Sequence, residues 1–321
     1  MSKEYEEFQQ LLKQKRFREA AEFAEKENAH EEGQNVFWIT QQSNALRRGA
    51  QYEAALDSAR SALALEATNP YAVRAAADAL FGLERFDEAI DYYRETSHNP
   101  KLKARSLRRV LECLLKEKKW QTVLTDLEHG NYPAKEALQF RAKALRGLGQ
   151  YPEAAAACRE WLKLEPDNPS ALWEQTEVEI ALNGIESVME NLSRLARIPS
   201  LPPVYGEIYA SLCGRAGKPQ LAVKLYEKLE STGSDRRIQA KRAFALAKSG
   251  RELEAMDIFE ELLKIDPGDI YLHSSYGAAC RRMGEIERSI NFYNLLLSMH
   301  PSEKGLYGRI SRMRRVLENQ R

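Results

Sequence analysis

The residues best suited to chemistry in this 321-residue chain are arginines. Eight lysine or arginine residues lie between positions 101 and 119, together with two glutamates. Within this basic segment Arg105 and Arg109 are four residues apart, which puts both side chains on one face of a helix. Two guanidinium groups at this spacing can bind a carboxylate through parallel hydrogen bonds. Two interpretations remain open: an ordinary solvated basic face, or a surface that binds an acidic peptide or a C-terminal carboxylate.

No arrangement of residues in the sequence predicts an enzyme. The chain lacks a glycine-rich phosphate-binding loop, the His-Glu-x-x-His pattern of zinc helices and the Gly-x-Ser-x-Gly pattern of serine hydrolases. Its five histidines are far apart and lie mostly near predicted helix ends, where we expect solvated or capping side chains. We therefore predict a non-catalytic protein with no metal site and no cofactor.

Composition argues against several classes of protein. Lysine and arginine number 48 and aspartate and glutamate 47, so the net charge of +1 predicts no general attraction to nucleic acid or anionic lipid. No apolar run reaches the roughly 18 residues of a membrane span, and the N-terminal residues do not form a secretion signal, which predicts a cytoplasmic location. The four cysteines are widely separated, a pattern that fits neither a disulfide framework nor a zinc site, so we interpret them as apolar core residues.

The elements that must position the arginines recur along the chain. The clearest copy spans residues 135–168 and is predicted to contain two amphipathic helices. In the first, Leu138 and Leu145 lie on one apolar face, and in the second Ala154 and Cys158 do so. A single helical hairpin cannot bury both of its faces, so it requires copies of itself on either side.

The copies can be aligned on the residue that follows the turn between the two helices. This gives nine anchors, Phe17, Tyr52, Phe86, Trp120, Tyr151, Ile185, Pro219, Glu252 and Ile286. The predicted repeats are approximately 2–35, 36–69, 70–103, 104–134, 135–168, 169–202, 203–235, 236–269 and 270–303. Residues 304–321 are predicted to form a C-terminal capping helix and a basic tail, because the last repeat of a stack needs a polar outer face.

This pattern resembles the tetratricopeptide repeat family. The clearest matches are GLGQYPEAAAACREWLKLEPDN, SGRELEAMDIFEELLKIDPGD and YGAACRRMGEIERSINFYNLLLSMHP. The resemblance covers residues 3–303 and implies an all-α solenoid of about nine helix-turn-helix repeats in a right-handed superhelix. It also implies a scaffold or adaptor that binds a protein or peptide in a concave groove lined by the first helices. The repeat leaves the identity of the partner open.

In this family, fixed positions of the first helix of each repeat face the groove, and the matching positions here predict which side chains face it. Ten candidate partner-binding residues follow: Asn44, Arg74, Arg105, Arg108, Arg109, Lys143, Trp173, Lys241, Tyr271 and Arg281. Trp173 has two open interpretations, packing between repeats or a binding anchor.

Some members of the family hold the C-terminal carboxylate of heat-shock chaperones with a five-residue clamp. Asn44, Arg105 and Arg109 occupy matching positions, but Thr40 and Ala75 stand where the clamp has lysine and asparagine. Because the clamp is incomplete, the resemblance does not imply a chaperone partner.

Other functions remain open. One alternative is that the chain is an accessory component of an enzyme, or of a polysaccharide or secretion assembly complex. An RNA-binding helical repeat is less favoured, because no base-reading side chain recurs once per repeat and the net charge is near zero. On the outer face of the first repeat, Tyr5, Phe8 and Leu12 favour end-to-end association into a homo-oligomer.

Overall fold

The computed structural model describes residues 3–30, 35–130, 132–195, 202–231, 233, 235–301, 303 and 305–319. Within these ranges the chain forms nineteen α-helices and no β-strand. The helices are α1 Lys3–Lys13, α2 Phe17–His30, α3 Val36–Arg48, α4 Tyr52–Leu65, α5 Pro70–Gly82, α6 Phe86–Thr96, α7 Lys103–Lys116, α8 Trp120–His129, α9 Ala134–Gly147, α10 Tyr151–Leu164, α11 Pro169–Asn183, α12 Ile185–Leu195, α13 Pro203–Arg215, α14 Pro219–Glu230, α15 Arg236–Ser249, α16 Glu252–Ile265, α17 Ile270–Met283, α18 Ile286–Met299 and α19 Gly305–Glu318.

Each anchor residue is the first residue of an even-numbered helix, from Phe17 of α2 to Ile286 of α18. A residue with positive φ, between 57° and 86°, lies two positions before each anchor, except that Gly184 directly precedes Ile185. These residues are Lys15, Ala50, Glu84, Lys118, Gly149, Gly184, Gly217, Gly250 and Gly284. A single left-handed residue ends the first helix and lets the chain reverse. The predicted all-α class and the helical-hairpin repeat are confirmed.

The first of two compact units comprises residues 1–178. Its core runs through successive hairpins and is rich in alanine, with larger side chains such as Leu56, Tyr93 and Leu111 fully buried between them. Small residues let neighbouring helix axes approach closely. The first helices of adjacent hairpins lie side by side, since α3 contacts α5 and α7 contacts α9.

Glycine at the end of α9 allows one such close approach. A Cβ atom on Gly147 would lie 2.6 Å from two carbon atoms of the Trp120 indole, at the start of α8. Real Cβ atoms do not come this near to a ring, so the indole fits against the helix because the side chain of residue 147 is a hydrogen atom.

The second compact unit comprises residues 179–321. Phe259, Tyr276 and Tyr293 fill its core, and α19 packs against α18 at the C-terminal end. As predicted for a capping helix, α19 buries Leu306, Ile310 and Met313 and exposes most of its arginines.

The four cysteines are buried free thiols in both units. Burial raises the pKa of Cys113 to about 12 and that of Cys280 to about 11, so both thiols stay protonated near neutral pH. Among the described helices, none combines the length and apolar character required to cross a lipid bilayer.

Candidate peptide-binding surface

Six of the ten candidate residues lie on α3, α5, α7 and α9, the first helices of four successive hairpins in the first unit. We refer to the exposed side of these four helices as the first-helix surface. Asn44 lies on α3, Arg74 on α5, Arg105, Arg108 and Arg109 on α7, and Lys143 on α9. The guanidinium carbon of Arg109 lies 4.5 Å from the centroid of the Phe81 ring of α5, a cation–π contact that joins α7 to α5.

A buried carboxylate lies at the centre of this surface. Asp78 of α5 is 4% exposed, and the Tyr93 hydroxyl donates a hydrogen bond of 2.6 Å to its Oδ1. Three guanidinium groups surround it, with Arg74 Nε 3.8 Å from Oδ2, Arg105 Nη2 3.8 Å from Oδ2 and Arg109 Nε 3.9 Å from Oδ1. We call these five residues the Asp78 cluster. All three distances exceed hydrogen-bond length, so the arginines act on Asp78 through charge alone.

The charges in the cluster are unevenly balanced. Asp78 Oδ2 is buried and has no hydrogen-bond partner among the described residues. Burial lowers the pKa of Arg74, and the positive charges of Arg105 and Arg47 lower it further, against the opposing effect of Asp78. Burial and then the Asp78 carboxylate raise the pKa of Tyr93, so its hydroxyl remains a donor. Several cations therefore share one buried anion.

Arg108 and Arg109 also contact a second carboxylate. Arg109 Nη1 donates to Glu112 Oε2 at 2.8 Å, and Arg108 Nε donates to Glu112 Oε1 at 3.0 Å. Arg108 Nη1 also lies 3.9 Å from Glu136 Oε1 of α9. Arg105 differs from both because Asp78 is the only carboxylate within 4 Å of it among the described residues, and its side chain is 52% exposed against 26% for Arg109. Arg105 therefore offers the most accessible donors of the cluster to an incoming anion.

A related pairing of basic residues with a buried carboxylate occurs in the second unit. Arg237 and Lys241, four residues apart on α15, both donate to Oε1 of the buried Glu207 on α13. Relative to their anchors they occupy the positions that Arg105 and Arg109 occupy in α7. Here, unlike around Asp78, the basic groups reach hydrogen-bond distance. Lys241 is thus engaged by an internal carboxylate.

The three remaining candidates lie on α11 and α17. Trp173 is half-buried on α11, where its neighbour Glu174 accepts a 2.6 Å hydrogen bond from Nε of Arg146. In the second unit, Tyr271 is 75% exposed at the start of α17, and Arg281 lies near the end of that helix. Six of the ten candidates therefore lie on the first-helix surface, and the other four lie on α11, α15 and α17.

The chaperone clamp is incomplete in three dimensions as well. Thr40 and Ala75, which stand at two of its five positions, are both buried. Neither side chain is available to a ligand.

Sequence reasoning was wrong about one histidine. His273 is 3% exposed rather than solvated, and its Nε2 lies 2.8 Å from the carbonyl oxygen of Pro267. Its ring packs 5.6 Å from that of Tyr293 on α18. Its position in the first turn of α17 indicated a capping residue, and only the packing of α18 places it in the interior.

Comparison with known proteins agrees with this architecture. A family model described as tetratricopeptide repeat matches residues 40–99 and 122–177. Residues 40–99 and 122–177 therefore contain tetratricopeptide repeats. These repeats serve in general as scaffolds for interactions between proteins.

Solved structures that contain tetratricopeptide repeats are also similar, at low identity. A tetratricopeptide repeat protein from Parabacteroides merdae ATCC 43184 is 14% identical, with 87% of this chain and 98% of that chain covered and a TM-score of 0.40. The C-terminal part of a repeat-containing protein from Cytophaga hutchinsonii is 13% identical, with 84% and 98% covered and a TM-score of 0.48. The P58(IPK) repeat domain is 15% identical, with 99% and 98% covered and a TM-score of 0.27. A search of curated proteins found no match.

Proposed function

We propose that this protein is a non-catalytic scaffold whose first-helix surface binds an acidic peptide, or the C-terminal carboxylate of a partner protein. The observation that carries the proposal is the Asp78 cluster, in which three guanidinium groups face one buried carboxylate without hydrogen-bonding to it. The tetratricopeptide repeats support the broader role, because proteins built from them are typically interaction scaffolds rather than enzymes.

The chemistry of the cluster suits a second carboxylate. Arg109 is held in place by Phe81 and Glu112, so little conformational freedom is lost when it binds a ligand. Arg105 is half exposed and lies one helical turn away, where it completes a pair of donors. Charge-assisted hydrogen bonds from two arginines are among the stronger polar contacts that proteins make. Asp78 limits mutual repulsion between the arginines before the ligand arrives.

The test uses a peptide library with free, acidic C-termini, and the best binder is resynthesised with a C-terminal amide. Affinities are measured by fluorescence anisotropy for the wild-type chain and for Arg105→Gln combined with Arg109→Gln. Loss of two charge-assisted contacts should weaken binding by about 2 kcal/mol or more, which is roughly 30-fold. We expect the amidated peptide to lose affinity for the wild type whenever the terminal carboxylate is the group bound.

A matched control removes the same charge elsewhere on the basic segment. Lys101→Gln combined with Lys116→Gln deletes two exposed cations beside and at the end of α7, outside the Asp78 cluster. This variant should bind the peptide within about threefold of the wild type, because exposed charges contribute little. Equal losses in the two double variants would refute a specific site. Capture of RNA with a steep salt dependence, and of no peptide, would instead support the nucleic-acid alternative.

A further inference from the structure

A small cavity lies between α17, α18 and α19 in the second unit, remote in sequence from the Asp78 cluster. Its volume is about 100 Å³, room for several water molecules or for one tetrahedral oxyanion. Three arginines line it, Arg281 from α17 and Arg309 and Arg312 from α19. Arg281 and Arg312 are exposed, so the cavity can be reached from solvent.

The three arginines have no carboxylate partner within 4 Å among the described residues of the chain. Most other described arginines of the second unit, such as Arg237 and Arg288, form close ion pairs. Three guanidinium groups around one small space repel one another unless an anion lies between them. The cavity therefore has the charge of an anion-binding site.

Gly277 makes the space available. A Cβ atom at this position would lie 2.9 Å from Met313 Cε, 3.6 Å from Arg281 Nη1 and 3.8 Å from the Tyr293 hydroxyl. Two hydrogen-bond donors, one guanidinium and one phenol, thus converge on the volume that a side chain would fill. Burial raises the pKa of Tyr293, so the phenol keeps its proton.

His273 adds a hydrogen-bond acceptor to the donors that line the cavity. It lines the cavity, is 3% exposed, and its Nδ1 is buried without a hydrogen-bond partner among the described residues. A carbonyl oxygen can only accept, so the contact of Nε2 with Pro267 places the ring proton on Nε2. Burial, followed by the charge of Arg309, lowers the pKa of His273, which leaves the ring neutral and Nδ1 an acceptor at pH 7.

We propose that this cavity binds a phosphate group that carries one proton. The three arginines and Tyr293 donate hydrogen bonds to its oxygen atoms, and its remaining O–H donates to Nδ1 of His273. Hydrogen phosphate satisfies every one of these groups. Sulfate has the same shape and charge but no proton at pH 7, so it leaves the acceptor of His273 unsatisfied. The ligand is therefore the free ion, because a phosphorylated side chain has its second pKa near 6 and is mostly without a proton at pH 7.

The experiment titrates the full chain with inorganic phosphate at pH 7 and constant ionic strength, using isothermal titration calorimetry. Arg309→Gln combined with Arg312→Gln should weaken binding at least about 10-fold. Arg314→Gln combined with Arg315→Gln removes the same charge from exposed positions of the same helix, outside the cavity, and should change affinity by less than about twofold. Sulfate should bind at least about 10-fold more weakly than phosphate.

Gly277→Ala provides a variant that retains every charge. The added methyl group meets the flexible end of Met313, so the fold should persist while the cavity shrinks, and phosphate affinity should fall. A phosphoserine peptide, whose phosphate is mostly unprotonated at pH 7, should bind more weakly than inorganic phosphate, and tighter binding would contradict the requirement for a proton on the ligand. Absence of phosphate binding by the wild type, equal affinity for sulfate, or equal losses in the two arginine variants would overturn the proposal.

Discussion

The Tyr93→Phe substitution tests the buried centre of the Asp78 cluster. It removes the hydroxyl that donates a 2.6 Å hydrogen bond to Asp78 Oδ1, and it leaves the buried ring in place. Since Oδ2 already lacks a partner, Asp78 would retain no hydrogen bond among the described residues. The variant therefore isolates the cost of an unsatisfied buried carboxylate from the cost of a cavity.

The expected magnitude follows from the surroundings of the carboxylate. Hydrogen bonds to charged groups contribute about 1.5–3 kcal/mol, and an unpartnered buried acceptor adds a desolvation cost. Three guanidinium groups at 3.8–3.9 Å still stabilise the charge, which offsets part of the loss. We expect Tyr93→Phe to lower the free energy of unfolding by about 2 kcal/mol. Tyr92→Phe, at the half-buried neighbouring position of α6, should change it by no more than about 0.5 kcal/mol.

The assay is equilibrium unfolding in urea followed by far-ultraviolet circular dichroism, with amide hydrogen exchange in α5 and α6 as a local measure. A double-mutant cycle with Asp78→Asn apportions the effect to this pair, and we expect a coupling energy of about 1–2 kcal/mol. The reasoning fails if Tyr93→Phe costs no more than Tyr92→Phe, or if the two substitutions at positions 78 and 93 are additive.

Three further predictions concern stability. Gly147→Ala should lower the free energy of unfolding by about 2 kcal/mol, because its Cβ would meet the partly buried indole of Trp120. Gly214→Ala, which has open space around it, should raise the free energy of unfolding by up to about 1 kcal/mol. Urea unfolding distinguishes the two variants, and equal effects would contradict the close approach. Glu84→Gly should stabilise the protein by about 1 kcal/mol in the same assay, since Glu84 has a φ of 59°, and a loss of stability would argue against strain in that turn. Burial raises the pKa of Cys280 from its ordinary value of 9.0 to about 11, so the thiol ionises at lower pH in the unfolded chain than in the folded one. The contribution of the neutral thiol to the free energy of unfolding is complete below pH 9 and is lost as pH rises to about 11, with a slope of at most about 1.4 kcal/mol per pH unit. Cys280→Ala should flatten the pH dependence of the free energy of unfolding over that interval, and an unchanged slope would contradict the assignment.

The repeat and its helix starts were predictable because their causes are local. Each hairpin shows apolar residues at helical spacing on both sides of a turn, and each anchor from Phe17 to Ile286 begins a helix one or two positions after a left-handed residue. Neither feature depends on what the hairpin packs against. Sequence reasoning also selected the arginines of α7, because their spacing alone puts Arg105 and Arg109 on the same side of the helix.

The chain by itself thus determined the class of fold, the period and the face that carries the arginines. Only the tertiary structure decided which charges meet. Asp78 faces arginines of the next hairpin, and His273 is buried by α18, because stacking brings together residues from separate elements. Electrostatic energy and burial depend on those distances, which helical periodicity leaves undetermined. The cavity lined by Arg309 and Arg312 arises for the same physical reason, since it exists only where α19 closes over α17 and α18.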